Sequence, residues 1–196
     1  MNWKTLLFIS LIAYGAYQHW QKRPVIHVPG LIAAEEPIQH LLENEPSINH
    51  DGYQITPLAD FHIKARVLSA EHYLMDAESE LAPVDLALGW GAMSDQTVLD
   101  KISISQSHRF YFWHVESFPI PREEIETHSA NMHMIPANNA VKKTLESIRT
   151  GQIVTINGYL IEAKNAQGWH WRSSLTRNDT GNGACELLLV KSVVVR

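Results

Sequence analysis

WHWRSSLTRNDTGNGACELLLVKSVVVR, residues 169–196, decides how the chain is read. Its last part, 187–195, is apolar and Val-rich, interrupted only by Lys191 and Ser192. A run of that length and composition predicts a strand buried on both faces. The polar, Gly-rich stretch before it, 173–183, carries backbone groups that cannot be buried without partners. It is therefore expected at the rim of the fold, where loops carry function. The single cysteine, Cys185, stands where loop meets strand. The densest candidate chemistry thus hangs on the strand expected to be the spine of the domain.

Working outward, Phe61, Ile63, Ala65 and Val67 alternate with His62, Lys64 and Arg66, which predicts a half-buried strand with the second set on its polar face. Residues 108–115, HRFYFWHV, are aromatic-rich and predict another strand. In 73–92, Pro83 breaks any helix and Gly89-Trp90-Gly91 reads as a turn with an aromatic plug. Ser94 is placed as the cap of a short helix through Lys101, and Pro121 as the start of one over 122–127. Residues 128–136 are read as irregular. Over 137–149, Val141, Leu145 and Ile148 recur at helical spacing and Gly151 ends the helix. Asn157-Gly158 inside QIVTINGYLIEA admits a hairpin or one long strand bent by a bulge. The second is favoured, because 164–168 already supplies a turn before Trp169.

The expected class is α+β, mostly β: a small Greek-key barrel with one or two packed helices. A helix followed by GQIVTINGYLIEA, falling between the third and fourth strands, resembles the OB-fold. The expected organisation is an N-terminal membrane anchor over 1–23, a linker with one short helix over 24–51, and a globular domain over 52–196. The helix in the linker is read from Ile38, Leu41 and Leu42 behind Pro37.

The anchor rests on Leu6, Leu7, Phe8, Ile9, Leu11, Ile12 and Tyr14, flanked by Trp3 and Trp20 and by Lys4, Lys22 and Arg23. Tryptophan and basic residues at both ends of an apolar segment are an interfacial signature. A single-pass helix left uncleaved, with the domain outside the cytoplasm, is the expectation.

The chain has 196 residues, 45% hydrophobic and 19% charged, enough for one domain with a real core. Net charge is −5, and −8 once the basic first 23 residues are set aside. Such a domain is a poor binder of phosphate backbones, so nucleic acid is not an expected partner. One cysteine excludes an internal disulfide and a cysteine zinc cluster. No motif asks for a cofactor.

Patches at 83–91 (PVDLALGWG), 129–133 (SANMH) and 176–181 (TRNDTG) resemble an uncharacterised group of bacterial single-pass membrane proteins. That resemblance implies an inner-membrane location and no particular activity.

Four constellations could carry chemistry. Arg177 and Asp179, with Ser174 and Trp171, could bind a polar ligand, or Arg177 and Asp179 could pair and brace the loop. Cys185 would need a histidine, His170 or His133, to become a nucleophile. The fourteen residues between His170 and Cys185 are similar to the spacing in L,D-transpeptidases, but Ala184 and Glu186 break that family's signature around its cysteine. His128 and His133 could converge on a metal if the chain between them is irregular, with Asp85, Asp179 or Glu186 as a third ligand. Trp90, Phe110, Tyr111, Phe112, Trp113, Trp169 and Trp171 could stack on a ligand or fill the core. The leading expectation is a membrane-tethered, non-catalytic domain that binds a protein or envelope component. A Cys-dependent envelope hydrolase or transpeptidase, and a His-based metal-binding protein, are the alternatives.

Overall fold

A computed structural model describes residues 2–21, 23–75, 78–176 and 185–196, without side chains for 16–21. The chain is α+β and mostly sheet, 43% strand against 20% helix, so sheet pairing carries the architecture. In chain order the elements are α1 (Trp3–Gln21), β1 (Ile38–Leu41), β2 (Ile48–His50), β3 (Tyr53–His72) and β4 (Val84–Gly89). A 3-10 turn (Gly91–Ser94), α2 (Gln96–Leu99), β5 (Ser103–Ser107), β6 (Phe110–His114) and α3 (Arg122–Thr127) follow. The chain ends with β7 (Ser129–Pro136), α4 (Asn139–Glu146), β8 (Ile153–Asn165), β9 (His170–Arg172) and β10 (Glu186–Val195).

Five strands close on themselves in the order β3-β4-β7-β10-β8, and β8 returns to β3. Only β7 and β10 run parallel among these pairs. The inward positions of all five form one core, with Ile63, Leu86, Met132, Ile156 and Leu188 fully shielded. Burying each such side chain stabilises by about 1.5–3 kcal/mol. α4 caps this core through Val141 and Leu145, and Ile148 joins them from just past the end of the helix, which is shorter than the 137–149 its spacing suggested. Asn138 starts it, accepting hydrogen bonds from the Ala140 and Val141 amides.

The spine is β3 rather than the last strand. It runs 20 residues and pairs with β1, β2, β4 and β8. β10 is buried on both faces only from Glu186 to Val190, because beyond a bulge at 190–192 it loses its β7 neighbour. β8 is a single strand through Asn157-Gly158, and the bulge lies in β10 opposite Gly158. A Cβ at Gly158 would stand 2.1 Å from the Leu189 carbonyl oxygen, so only glycine permits that approach.

Residues 128–136, expected to be irregular, form β7 instead. Met132 and Met134 enter the core, while Asn131 and His133 face outward yet stay buried. Ser94 is not a helix cap. Asp95 takes that position, and the fully buried Ser94 hydroxyl accepts hydrogen bonds from the Ile32 and Ala33 amides. Arg66, placed on a polar face by alternation, is 3% exposed and donates to the Ser94 carbonyl and to the Gln96 side chain.

The stretch read as a linker is strapped along the sheet. Val25 N–H donates to the Thr150 carbonyl, and His27 Nε2 lies 2.7 Å from the Gly151 carbonyl oxygen. Trp90 Nε1 donates to Glu36 at 2.8 Å, and His128 Nε2 lies 2.9 Å from the same carboxylate. Ile38–Leu41 forms a strand on β3 rather than a helix, since β3 offers it an open edge.

α1 forms where a helix was expected, with every residue from 2 to 15 exposed. The expected span is not met: among the described residues no helix is long and apolar enough to cross a membrane. Its 19 residues reach roughly 28 Å at about 1.5 Å each, and Gln18, His19 and Gln21 dilute its end.

Candidate functional site

The outward face of β4 and β7 is the most densely functionalised part of the molecule. Alternation sends Val84, Leu86 and Leu88 into the core, which turns Asp85 and Ala87 outward. Asp85 lies opposite His133 in the register, and both are shielded, at 0% and 1% exposure. Two additions to the closed sheet cover them. The β5–β6 hairpin and α3 pack over Ala87, Leu68 and Met93 through Ile104, Tyr111, Trp113 and Ile125. β9 and the residue before it lay Trp171 and Trp169 over Leu187, Leu189 and Ile161.

The hairpin tip delivers Arg109. His108 and Arg109 have φ of 52° and 70°, the two-residue turn that usually takes Asn-Gly. A non-glycine residue held there costs on the order of 1–3 kcal/mol. Tertiary contacts offset that cost. Arg109 Nη1 donates to Asp85 Oδ1 at 2.8 Å and to the Ala82 carbonyl at 2.7 Å. Its guanidinium sits 3.7 Å over the Tyr73 ring, and its amide donates to the Tyr73 hydroxyl. Asn131 Nδ2 donates to the Arg109 carbonyl, and Gln106 donates to Asn131 in turn. Burial pushes the Tyr73 hydroxyl above its ordinary pKa.

His133 Nδ1 lies 2.9 Å from Asp85 Oδ1, but off the direction of a hydrogen bond. Asp85 Oδ2 is buried with no hydrogen-bond partner. The imidazole is tilted against Trp171 with ring centroids 4.5 Å apart, and Trp171, Trp169 and Tyr53 continue as an edge-to-face series. The result is a buried carboxylate and imidazole with a partly buried guanidinium, under an aromatic cover. It joins the loop at 73–83, the hairpin tip and β9. Chemically it is a brace that presents the surrounding rim, where Leu74 and Met75 are 88% and 97% exposed.

The expected site residues divide. Trp171 and His133 meet. Arg177 and Asp179 lie outside the described residues. Ser174 holds its own loop: its hydroxyl donates to the Thr176 carbonyl and its amide to the Cys185 carbonyl. His170 is engaged by Glu162 at 2.7 Å. Cys185 precedes β10, where Glu186 pairs with Met132, at partial exposure. His128 belongs to the strap through Glu36, so it does not join His133. Among the described residues no group of three His, Cys, Asp or Glu could hold a metal. Arg109 escaped sequence reasoning because it sits in an aromatic run, whereas Asp85 was expected only as a third metal ligand beside His128 and His133; it meets His133 and the Arg109 guanidinium.

Glu162 collects Lys164, His170 and Arg172 across the β8–β9 pair. Hydrogen bonds from Lys164 first, then His170 and Arg172, hold its carboxyl down at about 2. An acid with a depressed pKa stabilises the fold above its ordinary value and loses that contribution as pH falls. The β8–β9 pairing is therefore expected to weaken between pH 4.5 and about 2. Thermal midpoints across that window should show a slope that Glu162→Gln flattens.

The chain matches no family model, no curated protein and no solved structure.

Proposed function

We propose that this protein is a membrane-tethered, non-catalytic binding domain of the bacterial envelope, with an OB-like barrel held outside the cytoplasm by α1. The observation that carries the tether is α1 itself. Leu6, Leu7, Phe8, Ile9, Leu11, Ile12 and Tyr14 are 47–64% exposed, while the core of the sheet is complete without them. An apolar helix face of that kind is stable against lipid or a partner, not against water. The OB-like reading is supported by the strand order, by a single parallel pair between the third and fifth strands, and by a helix between the third and fourth. In such barrels the loops joining strands one to two and four to five flank the ligand, and here these are 73–83 and 166–185.

The non-catalytic reading is supported by the state of the ionisable groups. Arg109 and Asp85 neutralise one another and His170 serves Glu162. Binding then falls to the rim, through Leu74, Met75 and the 173–183 loop. Two substitutions separate tether from rim. Leu7→Glu with Leu11→Glu should move the protein from the membrane to the soluble fraction. Leu74→Asp with Met75→Asp should leave it membrane-bound and abolish recovery of its envelope partner. A Leu7/Leu11 variant that still sediments with membranes overturns the tether, and unchanged partner recovery overturns the rim.

A further inference from the structure

The wall of the sheet formed by β3 and β8 is not covered by the hairpin, and it holds an open groove of about 240 Å³. β1 borders it on one side and the β10 bulge on the other. Ile38, 52% exposed, gives it an apolar side, and its rim carries Asp60, His62, Lys191 and Ser192.

The backbone aims these groups. The bulge between Val190 and Ser192 leaves Lys191 without a cross-strand partner, and such bulges redirect a side chain. Lys191 Nζ donates to the Tyr159 hydroxyl at 3.0 Å and lies 4.5 Å from the ring centroid. That hydrogen bond raises its pKa and keeps it charged. His62 Nδ1 is 2.6 Å from Asn157 Oδ1, an acceptor, so Nδ1 donates there and the ring is held in place beside the groove. Asn157 Nδ2 donates to Ser192 Oγ at 3.2 Å, which leaves the Ser192 hydroxyl proton to donate onward.

Donors and acceptors therefore face one another across the groove beside Ile38: Lys191 and Ser192 donate from β10, and Asp60 accepts from β3 next to His62. An anion would meet the Asp60 carboxylate, and a cation would meet Lys191. A ligand whose groups both donate and accept, and which has an apolar ring face, satisfies every position. We propose that this groove binds a neutral saccharide. It lies on a different wall from the rim and does not depend on the tether.

The test uses the full-length protein in detergent micelles, titrated with the neutral trisaccharides of glucose and of N-acetylglucosamine and followed by amide NMR. Binding by one of them in the millimolar range, on the order of 10⁻³ M, is expected, with shifts confined to the groove. Asp60 is exposed, so Asp60→Asn keeps the fold. It should weaken saccharide binding about tenfold, as loss of a charge-assisted hydrogen bond does. Inorganic phosphate should not displace the sugar. The proposal fails if neither trisaccharide shifts groove resonances at about 20 mM. It also fails if phosphate competes, or if Asp60→Asn tightens binding, because either outcome marks an anion site.

Discussion

Asp85→Ala is expected to cost about 3–5 kcal/mol, because it leaves the Arg109 guanidinium beneath the hairpin without its counter-charge. Asp85 is fully buried and the Arg109 side chain is 13% exposed. The loss does not stop at the pair. Arg109 holds a left-handed backbone at the hairpin tip, and Asp85 is one of the contacts that keep it there. The hairpin should therefore loosen before the closed sheet unfolds, with hydrogen exchange rising first over β5 and β6. Urea denaturation gives the size of the effect. The double variant Asp85→Leu with Arg109→Met removes both charges, and should recover much of the stability that the single change loses. If Asp85→Ala costs less than about 1 kcal/mol, the ion pair is not what clips the hairpin to the sheet.

Trp90→Ala should be comparably severe, about 3–5 kcal/mol, from loss of a large ring in a packed core. Trp90 is 0% exposed and lies in the main cluster with Leu86, Leu88 and Met132. It also does a second job, since its Nε1 hydrogen bond to Glu36 ties the strap at 24–37 to the sheet. Trp90→Phe separates the two roles. It keeps most of the packing and drops the hydrogen bond, so it should cost about 1–2 kcal/mol. Limited proteolysis should show the strap cleaved faster in both variants. Against a total of about 5–15 kcal/mol, the alanine change alone brings the domain near its unfolding threshold. Equal stability of Trp90→Phe and Trp90→Ala would mean that the strap contact, not the core, dominates.

How much was readable follows the range of the interactions. Alternation at Phe61, Ile63, Ala65 and Val67 is a local pattern, and those residues do enter the core. Val141 and Leu145 lie on one face of α4 for the same reason, and Ile148, expected on that helix, packs into the same core from just beyond its end. Asn157-Gly158 allowed a hairpin or a strand. The strand formed because β3 runs alongside through Tyr159, Gly158 and Asn157, which a tight turn would not reach. Local pattern failed at β7, where Asn131 and His133 read as loop residues. They are strand residues, Asn131 covered by the hairpin inserted between β4 and β7 and His133 by Trp171 of β9. It failed again at Arg66, whose hydrogen-bond partners Ser94 and Gln96 lie 28 and 30 residues away.

By itself the amino-acid order determined a sheet-dominated fold behind an apolar N-terminal helix, with a helix inside 137–149 between strands. Those outcomes depend on periodicity and on backbone preferences of a few neighbouring residues. Only the tertiary structure decided that the sheet closes through β3 and β8, that 24–37 is a strap, and that Asp85, Arg109 and His133 share one buried site. Each of those rests on pairings across long loops; His27 and Gly151, for example, are 124 residues apart. A charged residue is buried only when a distant partner arrives to satisfy it, and no local pattern records that arrival.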